Sequence, residues 1–561
     1  MNKRIFLIIG FIFSIVIYGG FITTIFQKTY LFQKNNNYDK KQILYSENAF
    51  YYSFYEQLSK TSNLSEEIRK ITSDDRVQYP EKINVLKRYN IWPEVFLSVL
   101  YRISGETLNV DLFDYYIGGV IIFSALGIGI LYLLSYELTG SILGGVMSVF
   151  FVIMSFPWST RLISYPALRE NFGIPTLILQ VYLLVRYFKY TKMKNLLLVV
   201  GATIFHLLFW QFSTYTLLIE SVAIFILLLN VDKRDRKSLV QLMLLIILMI
   251  FFKTMISGAE GNNHVLDYLK FQLFKSVPNF HIMMYHCNGG FGIINNKILE
   301  ALYENLLIIM MIIGCLGIKF ISGKNGKIFR FIVTLSLGYF FFSMIASRFV
   351  VLAIPFLTLS AVMPFSLVYW NCILGRNNNE LKLFARGGLL MFVLVSWFLI
   401  KTNVTVNYLK NGINNNYYSL SIEPYKWINE NTDKNSVFGA SMTLTSKILL
   451  ITGRKISNNP FYENANNRQK TYEIYRMYGR ESEAGMYDIA LKNGLNYLII
   501  EKNICYQKSI TGCSSSDLYI TEDKDKTLSP LCWTLGGKGS ENFETVFEDN
   551  NYRIIKVIRN L

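Results

Sequence analysis

Residues 5–26 read IFLIIGFIFSIVIYGGFITTIF, an uncharged run that follows Lys3 and Arg4. Its length suits one helix through the roughly 30 Å hydrocarbon core of a bilayer. No small-residue cleavage site closes the run, so it reads as a signal anchor with the N-terminus on the cytoplasmic side. Further apolar runs fall near 117–135, 139–156, 172–188, 195–210, 213–230, 238–256, 303–319, 329–346, 349–370 and 384–400. In this chain of 561 residues, 52% are hydrophobic and only 17% charged, which places it among polytopic α-helical membrane proteins.

The charge balance is +17, from 56 Lys and Arg against 39 Asp and Glu. The cations cluster between apolar runs, at Arg186/Lys189/Lys192/Lys194, Lys233/Arg234/Arg236/Lys237, Lys319/Lys324/Lys327/Arg330 and Arg376/Lys382/Arg386. Such clusters set topology and attract anionic membrane lipids, and they argue against a nucleic-acid partner. Placing all of them inside gives about eleven spans, an odd number, with the C-terminal region outside the cytoplasm. The expected organisation is a membrane domain over 1–400, which includes a large outer loop at 27–115, followed by an extracytoplasmic domain over 401–561.

The outer loop contains Ser46-Glu47-Asn48-Ala49-Phe50-Tyr51-Tyr52-Ser53-Phe54-Tyr55, within a helical stretch expected around 48–60. Glu47 can serve as a base, with Tyr51, Tyr52 and Tyr55 walling a sugar or indole pocket. The same pattern also fits an interfacial aromatic belt with one solvated acid. Arg348, in Ile345-Ala346-Ser347-Arg348-Phe349, stands between two spans at their outer ends. It can hold a lipid phosphate through paired hydrogen bonds, or reach out to a lipid headgroup. Arg161 and Arg169 lie on the same expected side, and Glu170 can neutralise Arg169. Trp210 and Gln211, in Phe209-Trp210-Gln211-Phe212, offer an aromatic wall and an amide; packing is the alternative.

No zinc spacing, glycine-rich nucleotide loop or internal repeat occurs. His206, His264, His281 and His286 form no ligand pattern, so no metal is expected. Asp74-Asp75 reads as a solvated acidic pair or a divalent-ion ligand. In the tail, Val437-Phe438-Gly439, Asn496 to Ile500 and Tyr552 to Ile555 read as strands. Thr443 to Leu450, Arg468 to Tyr478 and Glu483 to Lys492 read as helices, which predicts a small α/β domain. Cys505, Cys513 and Cys532 allow one disulfide and leave one thiol free. Asn63-Leu64-Ser65 and Asn403-Val404-Thr405 match the glycosylation pattern on the outer side.

Read together, these stretches resemble the DPY-19-like protein C-mannosyltransferases. The resemblance runs from Glu47-Asn48-Ala49-Phe50-Tyr51-Tyr52-Ser53-Phe54-Tyr55 through Gln78-Tyr79-Pro80, Leu86-Lys87-Arg88-Tyr89-Asn90, Trp92-Pro93-Glu94-Val95, Leu168-Arg169-Glu170-Asn171-Phe172 and Trp210-Gln211-Phe212. It continues at Arg348 with Pro355, then Val437 to Met442, Asn459-Pro460-Phe461-Tyr462-Glu463, Tyr475-Arg476-Met477-Tyr478, Cys505, Gly512-Cys513 and Leu531-Cys532. The family has a longer cytoplasmic N-terminus, and Ser164-Tyr165 replaces a version richer in tryptophan and proline.

The resemblance implies a GT-C glycosyltransferase fold with a luminal C-terminal α/β domain in the endoplasmic reticulum membrane. It implies inverting, metal-independent transfer of mannose from dolichyl-phosphate mannose to C2 of tryptophan in WxxW polypeptides such as thrombospondin-type repeats. No cofactor is implied. Glu47 is then the catalytic carboxylate. Arg348, with Arg169 or Arg161, would receive the donor phosphate, and Tyr51, Tyr52, Trp210 and Gln211 would line the pocket. Another polyprenyl-phosphate-sugar transferase of the same fold, or a lipid-linked sugar transporter, is the alternative.

Overall fold

Each apolar run of the sequence is helical in the computed structural model. The structure describes residues 3–31, 40–229, 233–257, 263–287, 290–317, 321, 323–375, 377–400, 402–413, 422–507, 513–514, 517–519, 523 and 528–559. Among these, Arg4–Tyr30, Leu112–Thr139, Asn325–Ile345, Ser347–Phe365 and Asn379–Ile400 are long and apolar enough to cross a membrane. Asn296–Glu304 and Leu307–Leu316 qualify as a pair, bent by 67°. Of the apolar runs in the sequence, five or six thus qualify as full-length spans among the described residues by length and composition. Ile142–Met154, Met193–Phe209, Ser213–Leu228 and Leu239–Met255 are apolar but shorter.

The contacts divide the chain into two units that interleave in sequence. The first comprises Met1–Asn37, Asp114–Ile256 and Gly290–Asn415; the second comprises Tyr38–Phe113, Ser257–Gly289 and Asn416–Leu561. The outer loop and the tail, expected in separate domains, thus fall in one unit.

The first unit is a helical bundle. Apolar faces give helices little reason to prefer one another in lipid, so close approach and polar contacts supply the preference. At Gly314 an added Cβ would lie 2.1 Å from the Ser360 carbonyl oxygen, so only glycine permits that approach. Ser336 Oγ lies 2.6 Å from the Phe356 carbonyl and 2.7 Å from Ser360 Oγ. His206 sits between Thr176 and Thr216, with each ring nitrogen 2.9 Å from a hydroxyl. Gln180 donates to Glu220 at 2.9 Å. These contacts join the helices Glu170–Lys189, Met193–Phe209 and Ser213–Leu228, and they account for His206 without a metal.

The second unit carries a five-stranded sheet in the order β2-β1-β3-β5-β4. The strands are β1 (Val437–Gly439), β2 (Lys455–Ile456), β3 (Tyr497–Glu501), β4 (Phe543–Glu548) and β5 (Tyr552–Val557). β1 is parallel to β2 and β3, while β5 runs antiparallel to β3 and β4. Parallel neighbours need crossover connections. The helix Met442–Thr452 supplies one between β1 and β2, and Ala465–Tyr475 with Glu483–Lys492 supply the next. Ser441 caps the first of these by accepting from the Leu444 N–H, and Gly453, at φ 68°, ends it in the left-handed region. All three strands and all three helices read from the tail are present, each within a few residues of its expected bounds.

Residues 263–287 contribute to the same core. The ring of Phe280 is fully buried and stacks on Tyr519 with centroids 4.6 Å apart. Cys287 is bonded to Cys513, and Cys505 to Cys532, with Cα separations of 5.5 and 6.0 Å. The expectation that one of the three tail thiols stays free is thus corrected. Its missing partner lies outside the tail, 226 positions before Cys513. Cys315 and Cys372 are free. Asn63 is exposed and caps the helix Leu64–Ile71, accepting from the Glu66 N–H. The side chain of Asn403 lies outside the described residues.

Lys447, on the helix Met442–Thr452, is buried, its ammonium 5.6 Å from the Tyr425 ring centre. Burial pulls its pKa down to about 8, opposed by the Glu501 carboxylate. Below pH 8 the buried ammonium is charged and costs stability, and the cost fades as the pH rises toward the ordinary lysine value. Lys447→Met is therefore expected to raise the melting temperature at pH 7, with a smaller gain at pH 10; equal gains would contradict the assignment. Non-reducing peptide mapping is expected to yield the linked pairs Cys287–Cys513 and Cys505–Cys532, and a Cys505–Cys513 peptide would contradict the pairing.

Candidate functional site

Glu47 opens the helix Glu47–Lys60 in the second unit. Ser46, just before it, has φ 53°, a region that side-chain-bearing residues enter at a cost of about 1–3 kcal/mol. The Ser46 N–H donates to the Thr443 carbonyl at 3.3 Å, which holds this turn against the helix Met442–Thr452. Glu47 is half-buried in the first helical turn, where the exposed N–H groups stabilise a carboxylate.

Beyond Glu47 the helix is buried around most of its circumference, through Asn48, Ala49, Phe50, Tyr51, Tyr52, Phe54, Tyr55 and Leu58. The remaining stripe, Ser53, Glu56, Gln57 and Lys60, is polar and half-buried or exposed, so the helix is amphipathic with a broad buried face. Tyr51 meets Phe461 edge-on at 5.1 Å, and Tyr52 packs against Tyr55 at 5.6 Å and Phe113 at 5.8 Å. Phe461 also meets Phe50 at 4.8 Å and Tyr89 at 4.5 Å. An asparagine network fixes Phe461. Asn459 Oδ1 accepts from the Phe461 N–H at 3.0 Å, and its amide donates to Tyr89 Oη at 2.9 Å. Asn467 Nδ2 donates to the carbonyls of Asn459 and Phe461, both at 2.8 Å.

Arg161, Arg169, Arg348, Trp210 and Gln211 lie in the first unit. Arg348 Nε donates to Glu170 Oε1 at 2.6 Å, and Arg161 Nη1 lies 3.9 Å from the same oxygen. The Glu170 side chain is 3% exposed, Arg348 11% and Arg161 25%. Glu170 thus reaches across 178 positions to Arg348. Arg169, fully buried, starts the helix Glu170–Lys189 and places its guanidinium 5.9 Å from the Phe172 ring centre. Arg161 and Arg348 thus converge on one carboxylate, and Arg169 precedes it directly in the chain.

Trp210 is also fully buried and lies against Gly173, where an added Cβ would come within 2.4 Å of the indole. Trp210 Nε1 and Gln211 Oε1 are buried and form no hydrogen bond among the described residues. Buried polar atoms of this kind cost stability unless something pairs with them.

The acidic pair of the outer loop is used structurally. Asp74 binds the Arg76 guanidinium at 2.6 Å and Asp75 binds the Lys455 ammonium at 2.7 Å. His281 Nδ1 lies 2.7 Å from Tyr462 Oη. Among the described residues no three His, Cys, Asp or Glu side chains gather as metal ligands.

A family model described as "Dpy19: Q-cell neuroblast polarisation" matches residues 12–233 and 232–557. The chain belongs to the Dpy19 family. It is 22% identical to protein C-mannosyl-transferase DPY19L1 of Rattus norvegicus, over 98% of this chain and 87% of the relative. It is 24% identical to C-mannosyltransferase dpy-19 of Caenorhabditis briggsae, over 96% and 93% respectively. Among solved structures, the apo oligosaccharyltransferase of Archaeoglobus fulgidus superposes with a TM-score of 0.57 at 14% identity, covering 88% of this chain and 70% of that one. The Dpy19 chain is therefore a multi-pass membrane protein of the GT-C glycosyltransferase fold with an α/β domain, related to the DPY19 C-mannosyltransferases.

Two features of this Dpy19 protein escape a reading of residues in order. Glu170 is the partner of Arg348, and Phe461 is the lid on the Glu47 helix. The second had a signal, since three asparagines at 458, 459 and 467 flank an apolar Pro460-Phe461 in a segment otherwise lacking a role. Removing the Glu170 charge leaves Arg348 buried without its counterion. Glu170→Gln is expected to lower stability by about 3–5 kcal/mol, and Arg348→Met added to it to restore part of the loss. Thermal unfolding of wild type, Glu170→Gln, Arg348→Met and the double variant in one detergent reads both terms, and additive losses would contradict the pairing.

Proposed function

We propose that the protein transfers mannose from dolichyl-phosphate mannose to C2 of tryptophan in WxxW-type polypeptides, on the luminal side of the endoplasmic reticulum. The observation that carries this reading is the family match along almost the whole chain, with Glu47 intact at the head of a rigidly packed helix. The A. fulgidus enzyme supports the fold alone.

The chemistry makes two demands. Indole C2 forms a bond to the mannose anomeric carbon while the bond from that carbon to the phosphate oxygen breaks, and the electron pair leaves with dolichyl phosphate. The C2 proton must then go to a base so that the ring regains aromaticity. Glu47 is assigned that proton, because a carboxylate is a competent base and the packed helix behind it limits its movement. The developing phosphate charge is assigned to Arg348, with Arg161 and Arg169, because fixed guanidinium donors in a low-dielectric setting stabilise a leaving anion without reorganising. Glu170 then positions Arg348. Trp210 Nε1 and Gln211 Oε1 are assigned to substrate, the first as a buried donor and the second as a buried acceptor, and Tyr51 and Tyr52 to the wall behind Glu47. Inversion at the anomeric carbon and independence from metal belong to this reading as the family resemblance implies them.

Purified protein incubated with dolichyl-phosphate mannose and a WxxW peptide is expected to add one hexose to tryptophan, with the fragmentation of a carbon-linked sugar. Glu47→Gln is expected to lower the rate by at least about 10²-fold while the protein stays folded. Arg348→Gln is expected to weaken donor use with a smaller effect on peptide affinity. Hexose on a hydroxyl or amide of the peptide would replace the acceptor in this reading. Donor moved across vesicles without chemical change would replace catalysis with transport.

A further inference from the structure

A groove with a buried cation lies far from the residues discussed so far. The helices Ser213–Leu228 and Gly323–Ile345 run antiparallel: Tyr339 Oη donates to the Thr216 carbonyl at 3.3 Å, and Gly338 faces Ile219. Towards the C-terminal end of the first helix they part to leave a groove of about 200 Å³. Its walls are apolar, from Ala223, Ile226, Leu227 and Val333, with Thr334 and Arg330 as the polar residues among them. Arg330 Nε is buried and has no hydrogen-bond partner among the described residues. The guanidinium makes no ion pair with a described residue.

The rest of the neighbourhood is cationic by sequence. Gly323–Ile345 begins GKNGKIFR, with Lys324, Lys327 and Arg330 and no acid. The helix after Leu228 begins at Lys233, and Lys233, Arg234, Arg236 and Lys237 outnumber Asp232 and Asp235 there. Both basic stretches therefore belong to the same end of the groove. The other end of Gly323–Ile345 leads to Arg348. At a rise of about 1.5 Å per residue, Arg330 and Ile345 are roughly 22 Å apart along the axis. That is most of the hydrocarbon thickness of a bilayer, so Arg330 serves the membrane face opposite to Arg348.

We propose that this groove binds one anionic phospholipid, with its phosphate on the Arg330 guanidinium and part of an acyl chain along Ala223, Ile226, Leu227 and Val333. A guanidinium with an unused donor beside an apolar slot matches a phosphodiester joined to a hydrocarbon chain. A zwitterionic lipid supplies the chain but not the net charge that the surrounding cations favour. Ile226, 42% exposed, together with exposed Val222 and Phe225 on the same helix, leaves the slot open at its side.

Full-length protein in nanodiscs of phosphatidylcholine doped with phosphatidylserine, released and weighed by native mass spectrometry, tests this. Wild-type protein is expected to retain one phosphatidylserine more tightly than phosphatidylcholine. Arg330→Gln is expected to weaken that retention about fivefold, the worth of one basic residue near an anionic headgroup. Ile226→Trp, which fills the slot and leaves the charge, is expected to weaken it as well, and Lys192→Gln at another helix boundary to leave it unchanged. Equal retention of the two lipids by wild-type protein would overturn the proposal, as would full retention by both groove variants. Displacement by inorganic phosphate would overturn it by removing the role of the chain. Displacement by dolichyl phosphate ahead of phosphatidylserine would overturn it by giving the groove to the donor lipid.

Discussion

The helix that carries Glu47 is buried on all but the polar stripe of Ser53, Glu56, Gln57 and Lys60. Its aromatic residues are enclosed by Phe461, Tyr89 and Phe113, and its entry turn is held by the Thr443 carbonyl. A helix packed in this way is unable to rotate or slide without opening several close contacts, because protein interiors are as dense as molecular crystals. The position of the one carboxylate at its tip is therefore set by the whole second unit, and the strained turn at Ser46 persists because the surroundings determine it. The asparagines around Phe461 follow from the same demand: a backbone that bends through the core must have its amides answered there.

The first unit solves a different problem. Its helices share a solvent that hardly distinguishes one apolar face from another, so specificity comes from the few groups lipid tolerates poorly. His206 between two threonines and Gln180 against Glu220 lock three neighbouring helices. Glu170 with Arg348 joins a turn near residue 170 to one near 348. The ion pair fixes a guanidinium whose planar fork has donors beyond the one given to Glu170.

Much of this architecture is legible in the sequence, for reasons that differ by element. Apolar runs announce helices because their length and composition answer to the bilayer. Val437-Phe438-Gly439 and Tyr497 to Ile500 announce strands because buried strands are short, apolar and bounded by turns. The dense aromatic run after Glu47 signals a helix with a role, although the same run also fits an interfacial belt. What the sequence hides is long-range pairing. Nothing near Arg348 points to Glu170, and nothing near Cys513 points to Cys287, since both choices are made by the folded chain. The short helices Ile142–Met154 and Ser213–Leu228 are equally hidden, because hydropathy marks where a run is apolar and not where the backbone stops being helical. Grouping 38–113 with the tail required contacts that chain order conceals.

The bond between Cys287 and Cys513 bears on how the protein is made. The thiols belong to segments separated by several apolar helices, so the link waits until Cys513 has left the ribosome and both cysteines have reached an oxidising compartment. Glu47 is made well before the helix Met442–Thr452 that holds its entry turn. The nascent protein thus holds its acid without the frame that aims it, and competence arrives only once that frame has been made.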